Sequence, residues 1–168
     1  MNYANIKTHD IANGPGVRVS LFVSGCTHQC PECFNREAWD FNYGEVFDQS
    51  VIDRILEYLK PDYIKGITYL GGEPLDPRNQ PGLLELSRQI KAKYPNKTIW
   101  CFTGSVWEHL PQVENVTEEL LGYLHVLVDG PFVAAKKNLK LRFRGSENQR
   151  LIDVSKTLQQ GEVVLWED

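Results

Sequence analysis

Three cysteines crowd into eight residues of this chain: Cys26, Cys30 and Cys33, spaced Cys-x3-Cys-x2-Cys. Thiolates are soft ligands, and three on one short loop can hold three irons of a [4Fe–4S] cube, which ordinarily takes four cysteines. The fourth iron then stays open to a small ligand, by the logic that leaves one position free on a catalytic zinc ion. A second reading stands beside this one. Cys26, His28, Cys30 and Cys33 form a Cys3His set for structural zinc, although His28 lies only two residues from each flanking cysteine, which is tight for a tetrahedron. The remaining cysteine, Cys101, falls in the apolar run Thr98–Phe102 and reads as a buried small hydrophobe.

The elements that must carry this loop follow from periodicity and turn signals. Residues 17–23 (VRVSLFV) form the first expected strand, after the turn Asn13-Gly14-Pro15-Gly16. The cysteines then lie in a loop over 24–35. A helix is expected over 47–59, where Ile52, Ile55, Leu56 and Leu59 repeat at helical spacing and Ser50 with Asp53 offers a capping box. Strand 67–70 runs into Gly71-Gly72-Glu73-Pro74, and a helix over 81–94 follows with Pro81 at its start. Strand 98–102 ends in Thr103-Gly104; short helical pieces near 105–110 and 117–124 lead to strand 125–128 and Asp129-Gly130-Pro131. Extended pieces are expected at 139–144 and 162–166. The alternation of strand and helix predicts an α/β fold with a mostly parallel sheet and helical crossovers. Such sheets bind ligands at the carboxyl ends of their strands, where the cysteine loop, the glycine loop, Thr103-Gly104 and Asp129-Gly130 all fall.

Composition sets the bounds. The chain has 168 residues with 18 Lys plus Arg, 22 Asp plus Glu and a net charge of −4. That length fits one domain over 1–168 and is too short for an eight-unit α/β barrel, which needs about 250 residues. An acidic balance argues against bulk nucleic-acid binding, and no apolar run reaches the ~18 residues of a membrane span. Met1 to Asp10 has no basic stretch followed by an apolar core, so a cytoplasmic chain with reduced thiols is expected.

The cysteine spacing after a strand, with Gly-Gly-Glu-Pro after the next, resembles the radical S-adenosylmethionine (SAM) superfamily. Asn13-Gly14-Pro15-Gly16-Val17-Arg18 and Asn35 resemble the activating enzymes of glycyl-radical enzymes. Trp100 to Gly104, Val128 to Phe132 and Arg144 to Gln149 narrow the resemblance to the activases of anaerobic (class III) ribonucleoside-triphosphate reductase, over about residues 2–153.

The resemblance implies an open partial (βα) barrel and an oxidoreductase chemistry carried by cofactors. Cys26, Cys30 and Cys33 would ligate a [4Fe–4S] cluster whose open iron chelates SAM. Reductive cleavage would give methionine and a 5′-deoxyadenosyl radical, which takes an α-hydrogen from a glycine of the reductase. No side-chain nucleophile or general base is needed. SAM contacts are implied at Glu32, Cys33, Phe34, Gly71, Gly72, Glu73, Thr103 and Asp129. Glu73 would accept from the SAM ammonium, while the glycines let backbone approach. Here Glu32 occupies the place just before the third cysteine where many members carry an aromatic residue, and Phe34 follows it.

Between Lys136 and Arg150 lie six basic residues, alternating in part with Leu139, Leu141 and Phe143. They read either as an edge strand protected by charge or as a docking face for the reductase or an electron donor such as flavodoxin, with Arg144 and Asn148 foremost. Arg18 divides the same way, and a homodimer is compatible with the resemblance. The competing functions are an activase of another glycyl-radical enzyme, of the pyruvate formate-lyase type, and a non-catalytic zinc or iron–sulfur module.

Overall fold

The computed structural model describes residues 1–28 and 39–167. The cysteine loop beyond His28, with Cys30, Glu32, Cys33 and Phe34, lies outside the described residues.

A seven-stranded open sheet organises the chain, in the order β3-β1-β2-β4-β5-β6-β7. The strands are β1 (Asn2–Asp10), β2 (Val17–Val23), β3 (Glu45–Val46), β4 (Ile64–Gly71), β5 (Thr98–Phe102), β6 (Val126–Asp129) and β7 (Arg150–Asp153). Its centre, β2, β4, β5 and β6, is parallel. Both sides are antiparallel, where β1 pairs with β2 and β3 and where β7 pairs with β6. Helices α1 (Gln49–Tyr58), α2 (Gln80–Lys93) and α3 (Thr117–Tyr123) make the crossovers, and α4 (Val154–Gln160) follows β7.

Period-2 alternation divides the strand side chains between two faces. Val19, Leu21, Val23, Ile67, Tyr69, Ile99, Cys101, Leu127 and Ile152 pack with buried residues of all four helices in the main core. The opposite face is thinner, with Trp100, Val126 and Val128 covered by Phe102, Phe143, Leu151 and Trp166. Among the described residues the helices pack on one face only, and the other borders a cavity.

Several expectations are corrected. Strand 17–23 is second in the chain, because β1 precedes it; the alternating exposure of β1 is that of a half-covered strand written in polar residues. The cap of α1 is Asp48, which accepts the Val51 N–H at 3.3 Å, so the Ser50–Asp53 box does not form. Residues 139–144 are not a strand; Phe143 has a positive φ of 62° and the segment is a loop. Residues 105–110 shorten to one 3-10 turn, Trp107–His109. The tail pairs along β7, with Trp166 N–H donating to the Leu151 carbonyl at 2.8 Å, and sets its ring 5.0 Å from Trp100.

Arg18, 1% exposed, crosses beneath the second face. Its guanidinium donates to Thr68 Oγ1 (3.0 Å), Thr98 Oγ1 (3.0 Å), and the carbonyls of Ile67 (2.9 Å), Thr98 (2.9 Å) and Pro15 (3.4 Å). Those bonds tie β2, β4, β5 and the β1–β2 turn. Burial lowers its pKa to about 10. Buried in an inner strand, Arg18 is neither an edge-protecting charge nor a docking residue, which corrects both readings of the sequence.

Candidate functional site

The carboxyl ends of β2, β4, β5 and β6 open on one cavity of about 380 Å³. Its walls include Cys26, His28, Gly71, Gly72, Glu73, Thr103, Gly104 and Gly130 from these ends, with Asn13 from the β1–β2 turn and Phe132, Phe143 and Arg144 from the loop before β7. The convergence expected from the strand order is therefore present for the described residues.

Backbone bonds join the cysteine loop to the glycine loop. Gly72 N–H donates to the Val23 carbonyl at 2.9 Å and Glu73 N–H to the Gly25 carbonyl at 2.7 Å. Asn79 donates its amide to the carbonyls of Ser24 (3.1 Å) and Glu73 (2.8 Å), binding both loops from behind. Asn79 sits at the N-cap of α2, yet its side chain makes no cap bond. Gly71 has a φ of 110°, and a Cβ there would lie 2.7 Å from both Val23 N and Val23 O. Close approach of β2 thus suffices to require glycine at this position.

Glu73 is 2% exposed, a buried carboxylate at the end of β4. It accepts from Gly104 N–H (2.7 Å), Leu75 N–H (2.8 Å) and the Thr103 hydroxyl, 3.0 and 2.9 Å from its two oxygens. His28 Nε2 lies 2.7 Å from Glu73 Oε1. That hydrogen bond raises the His28 pKa; burial opposes the rise, and the charges of Glu73 and Asp76 add to it.

The other expected residues fall differently. Thr103 is 4% exposed and turned to Glu73, so it acts on the carboxylate. Asp129 is not among the cavity walls. Arg150 donates to both of its oxygens and Trp107 N–H donates to Oδ2 at 2.8 Å. Cys101 is fully buried on the helix-covered face, where burial and the Glu73 charge hold its thiol pKa well above the ordinary value. It stays a core residue.

Arg144 and Asn148 are drawn inward. Arg144 donates to the Gln149 carbonyl and Asn148 Nδ2 to the Pro131 carbonyl at 2.8 Å. Gln149, which the sequence reading gave no separate role, accepts from Gly145 and Ser146 N–H and donates to the Gly130 carbonyl at 3.1 Å. This stretch staples the loop after β6 to the cavity wall.

The donor chemistry fits an iron–sulfur cluster. Cys26 lies in the cavity wall, Cys30 and Cys33 follow it in sequence outside the described residues, and the same wall carries the glycines Gly71, Gly72 and Gly104 and the rings of Phe102, Phe132 and Phe143. Among the described residues no helix is long and apolar enough to cross a membrane.

Comparisons with known proteins agree with this chemistry. A family described as a 4Fe-4S single cluster domain matches residues 12–152. The anaerobic ribonucleoside-triphosphate reductase-activating protein of Enterobacteria phage T4 is 41% identical over 153 residues, 90% of this chain and 93% of its own. The protein of that name from Escherichia coli K12 is 42% identical over 151 residues, 89% and 96%. Its Vibrio cholerae counterpart is 40% identical, with the same coverage.

Proposed function

This chain belongs to the family of anaerobic ribonucleoside-triphosphate reductase-activating proteins, and we propose that it activates its reductase by radical SAM chemistry at the cavity just described. The observation that carries the proposal is the meeting of Cys26 with a buried, fully oriented carboxylate, Glu73, in one open cavity.

Cys26, Cys30 and Cys33 hold the cluster. With SAM bound, the cluster would supply the electron for its reductive cleavage to methionine and a 5′-deoxyadenosyl radical able to take hydrogen from a glycine of the reductase. The chain's own residues bind and orient. Glu73 accepts the SAM ammonium, and Thr103, Gly104 and Leu75 fix the direction of its oxygens. Gly71 and Gly72 offer backbone to the methionyl end, while Glu32 and Phe34 flank the third ligand and contact SAM. Asp129 serves from a distance, through Arg150, by holding the rim. Phe102, Phe132 and Phe143 exclude water from the reacting groups.

An open partial barrel agrees with a sheet that does not close on itself and a cavity at the carboxyl ends of its parallel strands. That opening admits a polypeptide segment of the reductase. Docking is assigned to the loop that exposes Lys136, Lys137, Lys140 and Arg142 around Leu139. A flavodoxin-like electron donor in the cytoplasm completes the proposal; a homodimer would need a face other than the cavity mouth. The zinc module is disfavoured by the match of residues 12–152 to a 4Fe-4S single cluster domain.

Anaerobic reconstitution with iron and sulfide, then dithionite and SAM, tests this reading. Wild type should release 5′-deoxyadenosine and place a glycyl radical on the reductase, while Cys30→Ala should do neither. A colourless chain that takes one zinc and makes no product would overturn it.

A further inference from the structure

Among the described residues four donors reach the Glu73 carboxylate, and three of them are fixed. Gly104 N–H and Leu75 N–H are backbone groups, and the Thr103 hydroxyl that reaches both oxygens belongs to a side chain 4% exposed. His28 is different. Its side chain is 27% exposed, it forms part of the cavity wall, and its Nε2 meets Oε1 at 2.7 Å from the ligand side. It lies flat against Gly104, where a Cβ would come within 2.7 Å of the ring.

We propose that His28 is a built-in occupant of the ammonium position on Glu73, and that SAM binds by replacing it. The inference rests on the reading of Glu73 as the ammonium acceptor. An ionised carboxylate offers about four lone-pair sites. Gly104, Leu75 and Thr103 take all but the one on Oε1 that faces the cavity, and His28 fills that one. An ammonium entering the same position exchanges one N–H donor for another, so the buried carboxylate is never left short of a partner. A buried acceptor without one is costly, so the occupant keeps the empty site folded. The exchange also sets affinity: only molecules whose Glu73 is released from His28 are competent, and the apparent dissociation constant rises accordingly. Run backward, the return of His28 displaces the methionine ammonium after cleavage.

Equilibrium dialysis on the reconstituted protein tests this, with SAM and its analogue lacking the α-amino group as probes. His28→Ala should bind SAM roughly three- to tenfold tighter than wild type, the scale of one charge-assisted hydrogen bond at a partly exposed site. The analogue, which leaves Glu73 alone, should bind both proteins equally. His28→Asn, too short to reach Glu73, should repeat the tightening, and His28→Gln should fall between. Iron content measured beside each titration separates binding from loading; if the alanine variant loads poorly, the asparagine variant carries the comparison. Unchanged or weaker SAM binding at wild-type iron content would overturn the exchange. A fully loaded wild type that binds no SAM would overturn the proposed function instead.

Discussion

Thr103 donates one hydroxyl toward both oxygens of Glu73 and accepts from Ser105 N–H at 3.1 Å, so a single buried side chain sets the carboxylate's direction. Thr103→Val keeps the shape and removes the donor. It should cost about 1–3 kcal/mol in denaturant unfolding and weaken SAM binding, while Thr103→Ser restores both. Neutral behaviour of the valine variant would show that the backbone N–H groups suffice. Cys101→Ala gives a contrasting result: it should retain wild-type iron content after reconstitution and lose about 1 kcal/mol of stability, as a core truncation does. Loss of iron would make Cys101 a ligand. These residues were unequally legible. Cysteine spacing exposed the metal chemistry because ligand sets are local in sequence. The burial of Glu73 was not legible, because its partners Thr103, Gly104 and His28 come from other strand ends.

At the scale of elements, the parallel centre was readable because β2, β4 and β5 are short apolar runs, each with a helical period between it and the next parallel strand. Strand β5 falls on its expected bounds, and β2 likewise. β1 was hidden by its polar exposed face and β7 by its mixed composition. The β1–β2 turn depends on Asp10, which is 7% exposed and accepts from Ser20 Oγ (2.6 Å), Ala12 N–H (2.9 Å) and Asn13 Nδ2 (2.7 Å). Burial pushes its pKa up, but these bonds and the charge of Lys7 outweigh it, and the folded pKa lies below the ordinary value. The sign follows: a depressed folded pKa contributes stability that is present above the unfolded pKa, about 3.9, and is lost as pH falls through the folded pKa. Asp10→Asn should therefore be less stable than wild type at neutral pH and show a shallower acid limb in unfolding against pH. Parallel curves for the two proteins would refute the assignment. Arg18→Lys should cost about 2–4 kcal/mol in denaturant titration, because three ammonium protons cannot serve acceptors on β2's neighbours and the turn together.

Across the whole molecule, charge is unevenly placed. The chain carries a net −4, yet Lys136, Lys137, Lys140 and Arg142 lie exposed on the loop whose Phe143 and Arg144 wall the cavity. Leu139, 86% exposed, stands among them. The same loop is anchored at its far end by Gln149 and Asn148, so its outer residues are presented on a fixed base. A cluster of one sign beside the opening steers an acidic protein surface toward the cavity and raises its association rate, an effect that weakens with salt. Lys136→Glu with Lys140→Glu should slow association with the reductase about tenfold at low salt, with the difference closing as ionic strength rises. SAM cleavage in the absence of reductase should be unchanged, because neither lysine walls the cavity. Stopped-flow association across a salt series, with 5′-deoxyadenosine release measured on the same preparations, separates the two effects. Equal rates at low salt would move the docking surface away from this loop, whereas slower cleavage without the reductase would mean that the loop shapes the cavity itself.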